Sequence, residues 1–235
     1  MENTKLPRQL ERHIMETLRK VGKILGIDIK QQSPIWLKDK NRTKDLPRLF
    51  RKLGFRVGVE IGTMKGWYAR FLFAYITGLK LYCVDSWKAY DEFIESHTGA
   101  SQEKLDECFE TAKERLRGMN VEFIKKYSMD AVKDFKDESL DFVYIDANHT
   151  FEYAVEDIAK WEKKVRPGGI VSGHDYWTSI EMKKLWIENP TELEKLKLCQ
   201  VKDAVDAWVK ANQISPLFVI EEKTSFKSPS WFYVK

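Results

Sequence analysis

The sequence predicts an α/β protein: a doubly wound, mostly parallel sheet of seven strands, helices on both faces, an antiparallel C-terminal hairpin and an N-terminal helical extension. Three observations carry that expectation. Short, near-continuous apolar runs alternate five times with helix-patterned segments, as parallel strands covered on both faces do. The first two of these runs end on a glycine or an acid just ahead of helical sequence, at Gly62 and Asp85. The last two apolar runs have only a short connection between them, which permits an antiparallel hairpin but not a parallel crossover.

The elements follow in order. From Leu6 to Leu25, Leu10, Ile14, Leu18, Val21 and Leu25 recur at helical spacing among charges, and Gly26 ends the pattern. Covering a core face is the expected role of this helix, ahead of a lid or a dimer contact. Pro34 and the charged KDKNRTKD (38–45) mark a loop, and a short helix over 46–53 stops at Gly54. Residues 1–53 thus form the extension, and 54–235 the main unit.

Within that unit RVGVEIG (56–62) is the first strand, followed by a helix from Trp67 to Ile76. KLYCVD (80–85) is the second strand, 101–117 a charged helix and VEFIKK (121–126) the third strand. A helix near 129–136 leads to SLDFVYID (139–146), and another spans 150–165 with Phe151, Val155, Ile158 and Trp161 or Val165 on one side. PGGIVSGHD (167–175) is the Gly-turned fifth strand; a helical insertion at 179–198, containing Pro190, follows. After a helix at 201–211 come PLFVIEE (216–222) and SWFYVK (230–235), the hairpin expected at one sheet edge.

Composition excludes several classes. Hydrophobic residues make up 43% and charged ones 32%, enough apolar content for a globular core. The net charge of +4 is spread along the chain, which reads as a solvated surface rather than a nucleic-acid footprint. Cys83, Cys108 and Cys199 form no CxxC or Cys/His spacing, so a disulfide framework, a zinc site and an iron–sulfur cluster are unexpected. No apolar signal core lies in the first thirty residues, and FLFAYITGL (71–79) is about half a membrane span. A soluble, cytoplasmic protein is expected.

Ligands of open α/β sheets sit beyond the carboxyl ends of the strands. The first strand there reads VEIGTMKG (59–66), an E-x-G-x-x-x-G spacing distinct from the G-x-G-x-x-G of dinucleotide binding. Gly62 and Gly66 let the backbone approach a ligand, although a tight turn alone also accounts for them. Glu60 is an acid in an apolar strand, costly unless a cation or hydrogen bonds satisfy it. Asp85 closes the second strand at CVDSW, where an acid either accepts ribose hydroxyls or caps a helix. The fourth strand delivers Asp146, Asn148 and His149, and the fifth His174 and Asp175. Asn148 or Thr150 suits the N-cap of the helix opening at Phe151; two Asp and two His at adjacent strand ends favour chemistry.

VEIGTMKG, CVDSW, SLDFVYIDANH and VRPGGIVSGHDYW resemble the successive motifs of class I S-adenosylmethionine-dependent methyltransferases. More narrowly, they are similar to the macrocin-type family of small-molecule and sugar O-methyltransferases, over about residues 54–235. The resemblance implies a Rossmann-like fold and S-adenosylmethionine as cofactor. It implies that the Glu60–Gly66 loop, with Gly62 and Thr63, cradles the methionine part, with Glu60 near its ammonium group and Asp146 alongside. Asp85, with the adjacent Ser86, would take the ribose hydroxyls, and Ser128 and Met129 would meet adenine. Trp67 and Tyr68 depart from the small residues common after this loop.

A hydroxyl acceptor must be positioned, acidified by a metal or deprotonated by a base. Asp146 and Asp175 are suited to sharing a hard divalent cation such as Mg²⁺. Carried over from the similar enzymes, Asp146 binds the metal, His149 accepts the hydroxyl proton and Asp175 completes the metal site. His174 stands where related enzymes often have an acid and is either a metal ligand or a substrate contact. Tyr176, Trp177, Trp186 and Trp87 sit beside this end, as platforms for a sugar or planar acceptor or simply as core.

Two other functions compete. A nucleic-acid (RNA) methyltransferase usually carries an Asn/Asp-Pro-Pro-aromatic element after strand four, where this chain reads D-A-N-H. A nucleotide-binding Rossmann-like protein without turnover, or an NAD enzyme, is disfavoured by the site's polar set and the missing G-x-G-x-x-G. The expected partner is a small-molecule or glycoside acceptor, with no membrane and no nucleic acid; a homo-oligomer is allowed for. Acceptor selection is assigned to the N-terminal fifty residues and to 176–200.

Overall fold

The structure, a computed structural model, describes residues 8–89, 101–178, 180–181, 199–221 and 228–235. The helix expected at 179–198, with Trp186 and Pro190, lies outside these residues apart from 180–181. In chain order the elements are α1 (Arg8–Leu25), β1 (Ile35–Leu37), α2 (Asp45–Leu53), β2 (Val57–Ile61), α3 (Trp67–Tyr75), β3 (Lys80–Asp85), α4 (Gln102–Arg115) and β4 (Val121–Lys125). Then come α5 (Ser128–Ala131), β5 (Leu140–Ile145), α6 (Phe151–Trp161), β6 (Val165–Gly173), α7 (Val201–Ala211), β7 (Phe218–Ile220) and β8 (Ser230–Val234).

One sheet runs β1-β7-β8-β6-β5-β2-β3-β4. The chain builds outward from β2 through β3 to β4, then returns to lay β5 and β6 on the other side of β2. All of these neighbours are parallel, while β8 runs antiparallel to both β6 and β7. The reversal of strand order falls between β2 and β5, which is where a doubly wound sheet opens its ligand crevice.

Among the described residues the sheet has eight strands, one more than expected. The additional strand is β1, Ile-Trp-Leu, which pairs in parallel with β7 (Ile35 with Phe218). Three residues are too few to show a period of two, so this strand exists because β7 offers an unpaired edge. In consequence the β7–β8 hairpin is present but not marginal: β8 is wedged between β6 and β7, and all five of its residues are buried.

The apolar run Phe142–Ile145 of β5 serves two cores. Phe142 and Tyr144 enter the core under α1, α2 and α3, while Val143 and Ile145 enter the core under α6 and α7. Phe142 stacks on Phe50 of α2, with ring centroids 4.4 Å apart. Truncating such a ring to alanine costs about 3–5 kcal/mol. The extension shares this core, because Leu18 and Val21 of α1, Leu37 of β1 and Leu49 of α2 belong to the same cluster. No helix among the described residues is long and apolar enough to cross a membrane.

Candidate functional site

The carboxyl ends of β2, β3, β5 and β6 converge on the crevice, locked by their own backbones. Gly62 N–H donates to Val84 O at 2.8 Å, Asp146 N–H to Ile61 O at 2.8 Å, and His174 N–H to Ile145 O at 3.0 Å. Gly62 has φ +86°, and a Cβ there would lie 2.0 Å from the Asp146 carbonyl oxygen. Its lack of a side chain is therefore demanded by the neighbouring strand end. Gly66, at φ +69°, is the left-handed N-cap of α3. Met64, Trp87 and Asp175, all beyond strand ends here, also have positive φ (48°, 41° and 52°). Strain on the order of 1 kcal/mol each is thus concentrated around one crevice.

Asp85 ties two loops together, accepting Met64 N–H and Trp87 N–H at 2.8 Å each on different oxygens. Four lone-pair sites on a carboxylate leave capacity for a ligand hydroxyl on each oxygen. Ser86 accepts Lys88 N–H at 3.3 Å, a local turn bond. Trp87 is wholly buried with Cys108 and Ala112, and its indole donates to Met64 O, so it is core rather than platform.

Glu60 is 2% exposed and lies beneath the loop, with the Ala69 N–H of α3 and the Thr63 hydroxyl against its carboxyl. Burial, with Asp146 and Asp85 nearby, pushes Glu60 up to about 8. The bulk of Trp67 is accommodated outward: 61% exposed, it stacks beneath the Arg115 guanidinium. Tyr68 turns inward and stacks on Tyr144, centroids 3.8 Å apart.

Ser128 and Met129 open α5 past β4, as placed from sequence. The Ser128 hydroxyl is engaged by protein: it donates to Asp157 and accepts the Trp161 indole N–H. Met129 packs partly buried against the core under α6 and α7.

Asp146, His149, His174 and Asp175 form one cluster. His149 Nε2 is 3.1 Å from Asp175 Oδ2 and 3.6 Å from Asp146 Oδ1. His174 Nδ1 is 3.2 Å from Asp175 Oδ1 and 3.7 Å from Asp146 Oδ2. Burial works against the His174 imidazolium, but the Asp175 and Asp146 carboxylates outweigh it and lift His174 to about 9. Burial would raise both carboxyls, yet the two histidines hold them well below the usual carboxylate range. Asn148 Oδ1 accepts the Thr150 N–H and hydroxyl, both at 3.0 Å, shaping the turn into α6.

Three residues that the sequence reading did not single out complete the site. Gln200 donates its N–H to His149 O at 2.8 Å and accepts Phe151 N–H at 3.3 Å, which fixes the His149 loop. Ser228 donates to Asp175 and accepts the Trp177 indole N–H. Arg42, from the extension, donates to Tyr144 OH at 3.0 Å and lies 3.9 Å from Asp146 Oδ2. None belongs to a local motif; a lone Arg in a charged loop carries no signal of its destination. Tyr176 is buried and donates to Asp206, so of the two roles open to it from sequence it takes that of core.

The donor set can be tested against a metal. Among the described residues, ligand atoms of Asp146, His149 and Asp175 lie within 4.8 Å of one another. Two carboxylates and an imidazole fit a divalent cation, the nitrogen widening the choice beyond Mg²⁺. Asp146 and Asp175, assigned to a metal from sequence, belong to this group together with His149.

A family model described as a methyltransferase domain matches residues 59–176 of the 235. No curated protein matches the chain. Solved structures share the fold. An O-methyltransferase from Bacillus cereus in complex with SAH is 17% identical, with a TM-score of 0.58, covering 99% of this chain and 93% of that one. The O-methyltransferase TomG from Streptomyces achromogenes, involved in tomaymycin synthesis and in complex with SAM, is 16% identical, TM-score 0.56, covering 98% and 91%. The SAH-bound methyltransferase PaMTH1 from Podospora anserina is 14% identical, TM-score 0.55, covering 99% and 91%.

Proposed function

The chain belongs to the methyltransferase-domain family and is an S-adenosylmethionine-dependent methyltransferase; from that premise we propose that it methylates a hydroxyl oxygen of a small molecule or sugar. One observation carries this reading: His149 sits between Asp175 and Asp146, 3.1 and 3.6 Å away, beside the loop that begins at Gly62. The two similar structures named as O-methyltransferases support oxygen as the acceptor atom.

S-adenosylmethionine, when bound, would supply a sulfonium methyl group: the acceptor oxygen bonds the methyl carbon in line as the C–S bond breaks and the thioether of S-adenosylhomocysteine leaves. The loop from Gly62 to Gly66 would hold its methionine part and Asp85 its ribose, with Ser128 and Met129 toward the adenine. His149 serves as general base. Asp175, 3.1 Å from Nε2, would stabilise the imidazolium once the acceptor's proton has moved. Asp146 adds a second negative charge to the same end. A divalent cation, where one is used, would be held by Asp146 and Asp175 and would lower the pKa of the acceptor hydroxyl. Acceptor selection is assigned to the N-terminal fifty residues and to 176–200.

Titration calorimetry with S-adenosylmethionine and with NAD, followed by transfer of labelled methyl to a panel of glycosides and catechols, tests the reading. Heat with S-adenosylmethionine alone and label on oxygen are expected. No heat with S-adenosylmethionine overturns it.

A further inference from the structure

The N-terminal extension brings the Arg42 guanidinium to the crevice, and its surroundings point to a ligand charge. Arg42 lies between α2 and the strand ends, with its side chain 24% exposed. Its guanidinium donates to Tyr144 OH at 3.0 Å and sits over the Tyr68 ring, 5.7 Å from the centroid. Tyr68 in turn stacks on Tyr144, and its hydroxyl reaches Arg42 O at 3.5 Å. Two tyrosines thus fix where the fork points. Burial would disfavour the guanidinium charge, but Tyr144 and Asp146 more than offset it, so the arginine stays cationic.

The position is more telling than the charge. Tyr68 is the second residue of α3, immediately after the Gly62–Gly66 loop, and Asp146 ends β5. Arg42 is therefore flanked by the two elements assigned to the amino-acid part of the cofactor. Its distance to Asp146, 3.9 Å, is that of a loose ion pair rather than a bidentate one. A planar fork held by aromatic rings suits a carboxylate.

We propose that Arg42 binds the α-carboxylate of the methionine end of S-adenosylmethionine, so that the extension completes the cofactor site as well as bordering the acceptor. The inference rests on the methyltransferase reading above. It assigns Arg42 to cofactor recognition and not to an anionic acceptor.

The experiment compares S-adenosylmethionine with its decarboxylated form, which keeps the sulfonium and the amine, by calorimetry without acceptor. Wild-type protein should prefer the carboxylate-bearing ligand by roughly 10- to 100-fold, the range of a charge-assisted hydrogen-bonded pair. In Arg42→Met that preference should vanish, with the decarboxylated ligand bound as in wild type. If Arg42→Met does not fold, Arg42→Lys is read in the same comparison and should lose most of the preference, since an ammonium cannot reproduce the fork. Equal losses for both ligands would make Arg42 a structural residue and overturn the proposal, as would an undiminished preference, the result expected of an acceptor contact. Wild-type protein that binds neither ligand sinks the methyltransferase reading itself.

Discussion

Replacing Glu60 by glutamine should change how stability depends on pH. Glu60 is buried, and that burial, reinforced by Asp146 and Asp85, raises its carboxyl from an ordinary value near 4.5 to about 8. Below the lower value the group is protonated in folded and unfolded chains alike and adds no pH dependence. Between them the unfolded chain ionises while the folded one keeps its proton, so stability falls as pH rises, by about 1.4 kcal/mol per pH unit. Above about 8 both states are ionised and the slope ends. Over the window the accumulated destabilisation is roughly 5 kcal/mol, a large share of the 5–15 kcal/mol that holds a domain folded. Glutamine matches the shape and still accepts the Ala69 N–H, but does not titrate. Urea unfolding of both proteins from pH 4.5 to 8.5, read as their difference, isolates this group from the histidines. The Glu60→Gln variant should gain on wild type steadily through the window. Two parallel stability curves would refute the argument, because they would mean that Glu60 ionises in the folded protein as it does in water.

Other outcomes follow from the same geometry. His149→Ala should lower the transfer rate by about 10²- to 10⁴-fold and leave the affinity for S-adenosylhomocysteine within about twofold, since the base faces the acceptor; single-turnover kinetics and calorimetry check the two halves. Exhaustive EDTA treatment should reduce turnover, with recovery on adding Mg²⁺ or Mn²⁺, if Asp146 and Asp175 act through a cation; unchanged turnover removes the metal from the account. Gly58→Ala places a Cβ 2.2 Å from the Phe142 ring and should cost about 1–3 kcal/mol by overpacking, seen as a lower urea midpoint with unchanged slope.

Much of this protein is local and could be read directly. The alternation of apolar strands with amphipathic helices is a short-range pattern, so β2 through β6 and the helices between them fall where the sequence puts them. The helix expected over 201–211 is found at Val201–Ala211. Because strand ends face the crevice in any doubly wound sheet, Asp85, Asp146, His149, His174 and Asp175 were identifiable as neighbours before their distances were known. Tertiary structure decided what depends on contacts between distant segments. Strand β1 exists only as a partner for β7, some 180 residues on. Gly62 is required by the carbonyl of Asp146, a contact between strand ends 84 residues apart. Gln200 and Ser228 hold the loops of His149 and Asp175 from segments with no motif of their own. Arg42 meets Tyr144 across 102 residues. Periodicity and turn chemistry report on neighbours in the chain, whereas the partners of a buried polar group are chosen by whichever segments the packed core brings beside it.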